Sequence, residues 1–343
     1  MSEAKPLLAP GAFVRLALRL TVACLLLALV FNMALPESDV GVVAAVMAAW
    51  QTSFTEAASW FLLSFSLFGI SFAIGASRFA TLLAGAGFDV RWPMLFRAYL
   101  VAGFFNLVLP GAILGDVYRL WDVRQEAGEG SRALGIIAVE RLLGLSALGC
   151  LGVVAAPFLP LAAEDRYLGT VLMAICGLIA LTTAFALHPR ANGWMRKVGA
   201  LTKPISERVA GAIDGALLAA VELTTQPRVL VRAFLLSLAN QGLPVAAVFC
   251  LSVPLAGEVA WYWFAIIVPF VTLVSLVPIS IGGTGVREYL YVTLFGAVGM
   301  PRDAALALSL SLLGTAIVWA IVGFAIFTID RRRGTARPEP VAS

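Results

Sequence analysis

The residues best suited to chemistry are charged ones set inside apolar runs. Asp116 and Arg119 stand three apart, Glu140 and Arg141 are adjacent, and Arg287 and Glu288 are adjacent just after Gly282, Gly283, Thr284 and Gly285. Hydrocarbon does not accept free charge or unpaired backbone unless protein or water surrounds it. These groups therefore belong to a working site or to the wall of a wet cavity. A guanidinium grips phosphate with two parallel hydrogen bonds, so Arg119, Arg141 and Arg287 are candidate phosphate ligands. Asp116, Glu140 and Glu288 could hold an amine, carry a coupling proton or balance the arginines. A helix starting near Thr284 would direct free N–H groups and a positive dipole end past Gly283, Thr284 and Gly285, which together with Arg287 makes an anion site.

Each candidate has a plainer alternative. Asp116 and Arg119, at i and i+3, can form a local ion pair. Glu140 and Arg141 lie about eight residues into an apolar segment, ~12 Å deep by helical rise. Neighbours on a helix do not face each other, so each needs its own partner; a structural clamp onto another element is the alternative to a ligand site. Arg287 and Glu288 repeat that adjacency, and neutralising Glu140 and Arg141 is their alternative. Asn106, Asn240 and Gln241 are uncharged polar residues at membrane depth, serving either as helix–helix hydrogen bonds or as polar lining.

Several chemistries are excluded. His188 is the one histidine, before Pro189 at the end of an apolar segment, and Cys24, Cys150, Cys176 and Cys250 all lie in apolar segments. They read as small buried hydrophobes, without metal or disulfide. No Gly-Lys-Ser/Thr follows Gly282–Gly285, which disfavours nucleotide binding. The basic residues form no patch with interleaved aromatics, so nucleic acid is not a partner. No cofactor is expected.

The elements that position these residues follow from composition. The chain has 343 residues, 61% hydrophobic and 13% charged, far too apolar for a soluble domain and rich in windows of about 20 apolar residues. Two of those windows are broken. Pro110, Gly111 and Gly115 precede Arg119, and Pro278, Gly282 and Gly283 precede Arg287. Pro110 and Pro278, Gly115 and Gly283, Arg119 and Arg287 match at a constant offset of 168 residues (278 minus 110). Interrupted segments at corresponding places in two halves point to a transporter's midplane site.

Loop charge sets the path. Residues 1–10 form a cytoplasmic tail, 11–31 a retained first span, and the acidic 32–56 an external segment with 40–50 a helix lying on or dipping into the membrane. Residues 57–77 form the second span; Arg78, Arg91 and Arg97 follow, so 78–92 is cytoplasmic. Spans at 133–156 and 167–187 enclose an external loop at 157–166. The basic 188–228 is a cytoplasmic linker with an amphipathic helix at 205–223. Spans at 229–251 and 304–329 complete the second half. Parity then places both ends of 93–118 inside and both ends of 259–299 outside. The arm 287–299 reaches only ~20 Å against a ~30 Å core. The expected fold is all-α: about six transmembrane helices plus two oppositely oriented re-entrant hairpins, inverted-repeat-like. An eight-span arrangement is the alternative. The domains are 11–330 as one membrane domain (halves 11–187 and 229–330, linker 188–228) and a basic and polar cytoplasmic tail at 331–343.

The order Asn106-x3-Pro110-Gly111-x3-Gly115-Asp116-x2-Arg119, Glu140-Arg141-x2-Gly144, Pro278-x-Ser280-x-Gly282-Gly283-x-Gly285-x-Arg287-Glu288 resembles the membrane (flippase) domain of the lysyl-phosphatidylglycerol synthase/flippase family and its stand-alone relatives, over roughly residues 11–330. The resemblance implies a flippase-like domain for phospholipid or lipid-linked head groups. Two departures stand out. The fused members carry a soluble aminoacyl-transferase domain after the spans, whereas this chain ends some ten residues after Arg333, so lipid aminoacylation is not expected. Ile113-Leu114-Gly115 stands where many relatives show paired glycines, which suggests a stiffer loop or less room for a ligand.

The function expected is translocation of a phospholipid or lipid-linked head group across the bacterial inner membrane, with both termini cytoplasmic, by a non-enzyme. The alternatives are an intramembrane enzyme acting on a lipid head group, or a membrane partner subunit of a lipid-dependent glycosyltransferase. The partners are the lipid itself and, left open, a second copy or a lipid-modifying enzyme.

Overall fold

The computed structural model describes residues 54–108, 114–128, 130–155, 158, 163–186, 218–256, 259–276 and 285–334. Long runs of Leu, Ala, Val, Ile and Phe satisfy their backbone only as helices in an apolar medium. The named helices are α1 (Phe54–Gly85), α2 (Trp92–Val108), α3 (Leu114–Ala127), α4 (Gly130–Val154), α5 (Ala163–Ala186), α6 (Pro227–Ala256), α7 (Trp261–Ser275), α8 (Val286–Ala297) and α9 (Arg302–Gly334). No strand occurs among the described residues. Four helices, α1, α4, α6 and α9, are long and apolar enough to cross a membrane. Of the others, α5 has 24 residues, with its apolar part at Thr170–Thr182, and α2 has 17, α3 14, α7 15 and α8 12; these last four span ~18–26 Å at ~1.5 Å per residue.

The first span, the segment 40–50, His188, Cys24 and the linker up to residue 217 lie outside the described residues; of the linker helix expected over 205–223, the part from 218 is helical. The second span differs from expectation. Helix α1 does not stop at residue 77 but continues to Gly85, which carries Arg78 into the packed interior, where it is buried. Arg78 is therefore no loop marker, and the cytoplasmic assignment of the following loop rests on Arg91 and Arg97. The reason is visible after Arg78: Phe79, Leu82 and Leu83 keep a helical apolar spacing and are buried, so burial rewards continuing the helix.

Helix α4 is the central element. In its apolar stretch 61% of residues are buried, against 17% for α1 and α9 and 28% for α6. The most extensive helix pairs are α1 with α6, α4 with α5 and α9 with α2. Small residues allow these approaches. A methyl group on Gly323 of α9 would lie 2.2 Å from the Leu100 carbonyl oxygen of α2, and one on Gly149 of α4 would lie 2.4 Å from that of Cys176 of α5. Trp319 of α9 stacks on Phe65 of α1 with ring centroids 4.7 Å apart.

Two apolar cores result. One holds Phe79, Leu82, Leu95, Ile136, Leu143, Leu223 and Ala233. The other holds Val248, Leu251, Phe264, Ile267, Tyr291, Phe295 and Leu308. Along α6 the order is Ala233 in the first core, Asn240 to Pro244 facing a polar cavity, then Val248 and Leu251 in the second core. The cavity thus lies between the cores.

Candidate functional site

The cavity encloses about 400 Å³ among α1, α2, α3, α4, α6 and α7. Its polar wall is a chain of ion pairs. At the buried end, Arg78 of α1 donates from Nη1 to Ser237 Oγ of α6 (3.2 Å) and from Nη2 to Glu140 Oε1 of α4 (2.7 Å). Glu140 is 1% exposed and also accepts the Tyr99 hydroxyl and Arg119 Nη1, the latter at 2.9 Å on Oε2. Arg119 of α3 donates its Nη2 to Asp116. Asp116 accepts Arg141 Nε at 2.6 Å on its other oxygen. Side-chain exposure is 9% for Arg78, 1% for Glu140, 7% for Arg119, 12% for Asp116 and 38% for Arg141. The ladder therefore runs from a sealed end to an open one.

Local structure explains each placement. Gly75, one turn before Arg78, faces Tyr99: a methyl there would lie 2.5 Å from the Tyr99 ring, so the missing side chain lets the phenol reach Glu140. The Arg119 guanidinium lies over the Tyr99 ring at 4.5 Å and the Phe79 ring at 5.1 Å, an arrangement that suits a planar guanidinium, which can meet aromatic faces while its edge nitrogens bond carboxylates. Asn106, near the end of α2, accepts the Gly115 N–H at 3.0 Å through Oδ1. That satisfies one of the unpaired donors of the first turn of α3. Gly115 is buried, and a methyl there would meet the Ala102 carbonyl oxygen and Asn106 Oδ1 at 2.6 Å.

Of the residues singled out from sequence, Asn106, Asp116, Arg119, Glu140, Arg141, Asn240 and Gln241 all line this cavity. Glu140 and Arg141 do take separate partners, as their adjacency requires. Arg119 differs from its expected role: it is 6% exposed with both terminal nitrogens on carboxylates, so the guanidinium best placed to meet a ligand is that of Arg141. Sequence reasoning missed Arg78, Tyr99 and Ser237. For Arg78 the helical apolar spacing beyond it was the available signal; Tyr99 and Ser237 carry none that separates them from ordinary helix residues.

Arg287, Glu288 and Gly285 form a second, smaller cluster. Glu288 is fully buried; Arg287 donates to its Oε1 from Nη2 at 2.6 Å and Nε at 3.1 Å, and Ser309 Oγ of α9 lies 3.4 Å from the same oxygen. This geometry differs from one alternative and one expectation drawn from the sequence. Arg287 and Glu288 pair with each other and do not neutralise Glu140 and Arg141. The N–H of Gly285, expected to be open to an anion, is capped by Glu288 Oε2. The first helical turn explains both: a carboxylate at the third position folds back onto the cap and there meets the preceding arginine. Gly285 has φ 88°, a left-handed conformation that favours glycine. Arg287 also borders a largely apolar chamber of about 260 Å³. That chamber shares Phe68, Phe72, Gly103 and Asn106 with the central cavity. Pro110, Gly111, Pro278, Gly282, Gly283 and Thr284 lie outside the described residues.

Among the described residues no group of three His, Cys, Asp or Glu side chains could hold a metal ion. Cys150, Cys176 and Cys250 are free thiols.

A charged ladder buried among apolar helices is a membrane arrangement, and comparison with known proteins agrees. No curated protein matches the chain. The family described as "Lysylphosphatidylglycerol synthase TM region" matches over residues 16–329, nearly the whole length. This all-helical, multi-pass membrane protein therefore belongs to the lysylphosphatidylglycerol synthase transmembrane-region family.

Proposed function

We propose that the chain is a flippase-like translocase that carries the head group of a phospholipid or lipid-linked substrate across the bacterial inner membrane. The observation that carries this reading is the graded ladder from sealed Arg78 to open Arg141, bordering a cavity between two apolar cores. A head group entering that cavity trades water for fixed charges and carboxamides, while its acyl chains stay in lipid. Arg141 takes the phosphate at the open end. Arg78 and Arg119 hold Glu140, and Asp116 holds Arg141 in place, so the carboxylates act as charge balance.

In this reading α2 with α3, and α7 with α8, are the arms of two re-entrant hairpins inserted from opposite faces. In support, each pair packs together, each arm falls short of a ~30 Å core, and the breaks fall between them. The offset that relates Arg119 to Arg287 also relates Arg141 to Ser309 (309 minus 141); Arg119 of α3 meets Glu140 on the long helix that follows, and on α8 it is Glu288, the neighbour of Arg287, that meets Ser309 on the long helix that follows. Both termini are cytoplasmic, the whole of 11–330 acts as one membrane domain, and no catalytic step is required.

The test is leaflet exchange of a fluorescent-acyl phospholipid in proteoliposomes, followed by dithionite quenching. Wild type should accelerate exchange over empty vesicles and Arg141→Ala should not. Equal exchange with and without wild-type protein would sink the proposal.

A further inference from the structure

Resting on that translocase reading, we infer that the head group is a phosphodiester bearing an uncharged hydroxylated substituent, and that Asn240 and Gln241 select it over amine-bearing head groups. The first support is charge. Among the described residues the cavity is lined by three arginines (Arg78, Arg119 and Arg141) and two carboxylates (Asp116 and Glu140), leaving one positive charge in excess. A phosphodiester brings one negative charge and neutralises it. A zwitterionic head group leaves the excess in place, and an aminoacylated one enlarges it.

The second support is saturation of the carboxylates. A buried ammonium is held best by an anionic oxygen with room for it, which offsets the cost of desolvating its charge. Glu140 is 1% exposed and already accepts from Arg78, Arg119 and Tyr99. Asp116 has one oxygen on Arg119 and the other on Arg141. Glu288 is fully buried and does not line the cavity. The chain segments 109–113 and 277–284 contain no acidic residue. Among the described residues, the cavity could give an ammonium a carboxylate only by taking it away from a guanidinium.

The third support is what stands opposite the ladder. Asn240 and Gln241 line the cavity from α6, half-buried, and among the described residues neither carboxamide is hydrogen-bonded. A carboxamide offers two donors and an acceptor, which matches hydroxyl groups that both donate and accept. Gly144, one turn after Glu140, faces Gln241: a methyl there would lie 3.4 Å from Gln241 Nε2 and 3.5 Å from Arg78 Nη1. The absent side chain keeps the Gln241 carboxamide uncovered beside the ladder. A buried polar site built for hydroxyls discriminates strongly, because the wrong ligand leaves its groups unpaired.

The experiment is competition for the purified full chain in nanodiscs, with fluorescent-acyl phosphatidylglycerol as the bound probe. The competitors are short-chain phosphatidylglycerol, phosphatidylethanolamine and lysyl-phosphatidylglycerol. Phosphatidylglycerol should compete at concentrations at least about tenfold lower than either amine-bearing lipid. Asn240→Ala combined with Gln241→Ala should erase that preference. Gln241→Glu should shift it toward the amines. Equal or stronger competition by an amine-bearing lipid at wild-type protein would overturn the inference and leave the translocase reading intact. So would an unchanged preference in a folded Asn240→Ala, Gln241→Ala variant. Failure of wild type to bind any of the three lipids would overturn this inference and remove phospholipids from the translocase reading, leaving it a lipid-linked substrate.

Discussion

Arg78 and Glu140 lie 62 residues apart in the chain, and Arg78 Nη2 lies 2.7 Å from Glu140 Oε1 across the α1–α4 contact. Their pairing ties the helix that continues past its expected end to the central helix of the fold. Breaking a buried pair by removing one partner costs about 3–5 kcal/mol. Arg78→Ala leaves Glu140 on Arg119 and Tyr99 and takes the guanidinium donor from Ser237, so it should lower thermal stability in detergent by somewhat less than that, about 2–3 kcal/mol. Arg141→Ala, at the exposed end of the same ladder, should cost well under half as much and should lose head-group binding. Equal stability losses for the two would contradict the graded ladder.

Glu288 gives a second stability prediction. Arg287→Ala leaves a fully buried carboxylate with only the Gly285 N–H and Ser309 among its described partners, so a loss of about 3–5 kcal/mol is expected. Arg287→Met combined with Glu288→Gln should recover most of it, because glutamine still caps the helix. A single Arg287→Ala variant that melts like wild type yet loses leaflet exchange would make Arg287 a ligand group instead of a scaffold.

Gly115→Ala tests close packing. The new methyl would press on the Ala102 carbonyl oxygen and on Asn106 at 2.6 Å, an overpacking expected to cost about 1–3 kcal/mol. Gly242→Ala, with no atom within 4 Å, is the control and should be neutral or slightly stabilising. The readout is the melting temperature of both variants.

Asp122 gives a pH prediction. It sits in the polar end of α3, past the apolar part of the hairpin, and burial, offset in part by Arg97 and reinforced by Asp330 and Glu126, raises its pKa to about 6. Asp122 Oδ2 and Asp330 Oδ2 are both buried without a hydrogen bond. The unfolded value is about 4. Between about pH 4 and 6 the folded state thus holds more protons than the unfolded one, and stability falls as pH rises through that window. Its partial exposure to solvent keeps the effect modest. Melting curves across pH 4–7 should show the decline in wild type and a smaller one in Asp122→Asn; identical profiles would refute it.

Topology is tested by single cysteines in a cysteine-free background. Gln125 and Asp303 are both exposed and should label from opposite sides of the membrane, Gln125 from the cytoplasm. Asp303 is preferred to Gly299, whose φ of 94° would strain a cysteine. Labelling from one side would remove the opposed hairpins.

How far the sequence could be read depended on where each signal resides. Helices α4, α6 and α9 were legible within a few residues because their apolar runs are continuous. Asp116, Arg119, Glu140 and Arg141 stood out because charge inside such runs has to be explained. Arg78 was misplaced because a charge near the end of a span looks like a boundary until its partner is known, and that partner is contributed by another helix. The Arg287–Glu288 pair was misjudged because helix-interior spacing was applied to a first turn, where a side chain can fold back on the cap. Which arginine remains open could not be read at all, since exposure depends on how many carboxylates each one meets in space.

The unequal helix lengths bear on the bilayer itself. Helix α8 has 12 residues and α9, packed beside it, has 33; at ~1.5 Å per residue that is ~18 Å against ~50 Å. In the translocase reading, lipid meeting the short helices would face an apolar band narrower than its own thickness, which a bilayer offsets by thinning locally. Such a dimple shortens the distance a polar group must travel between leaflets. Membrane thickness then becomes a control on rate: exchange should slow as acyl chains lengthen, with no residue changed.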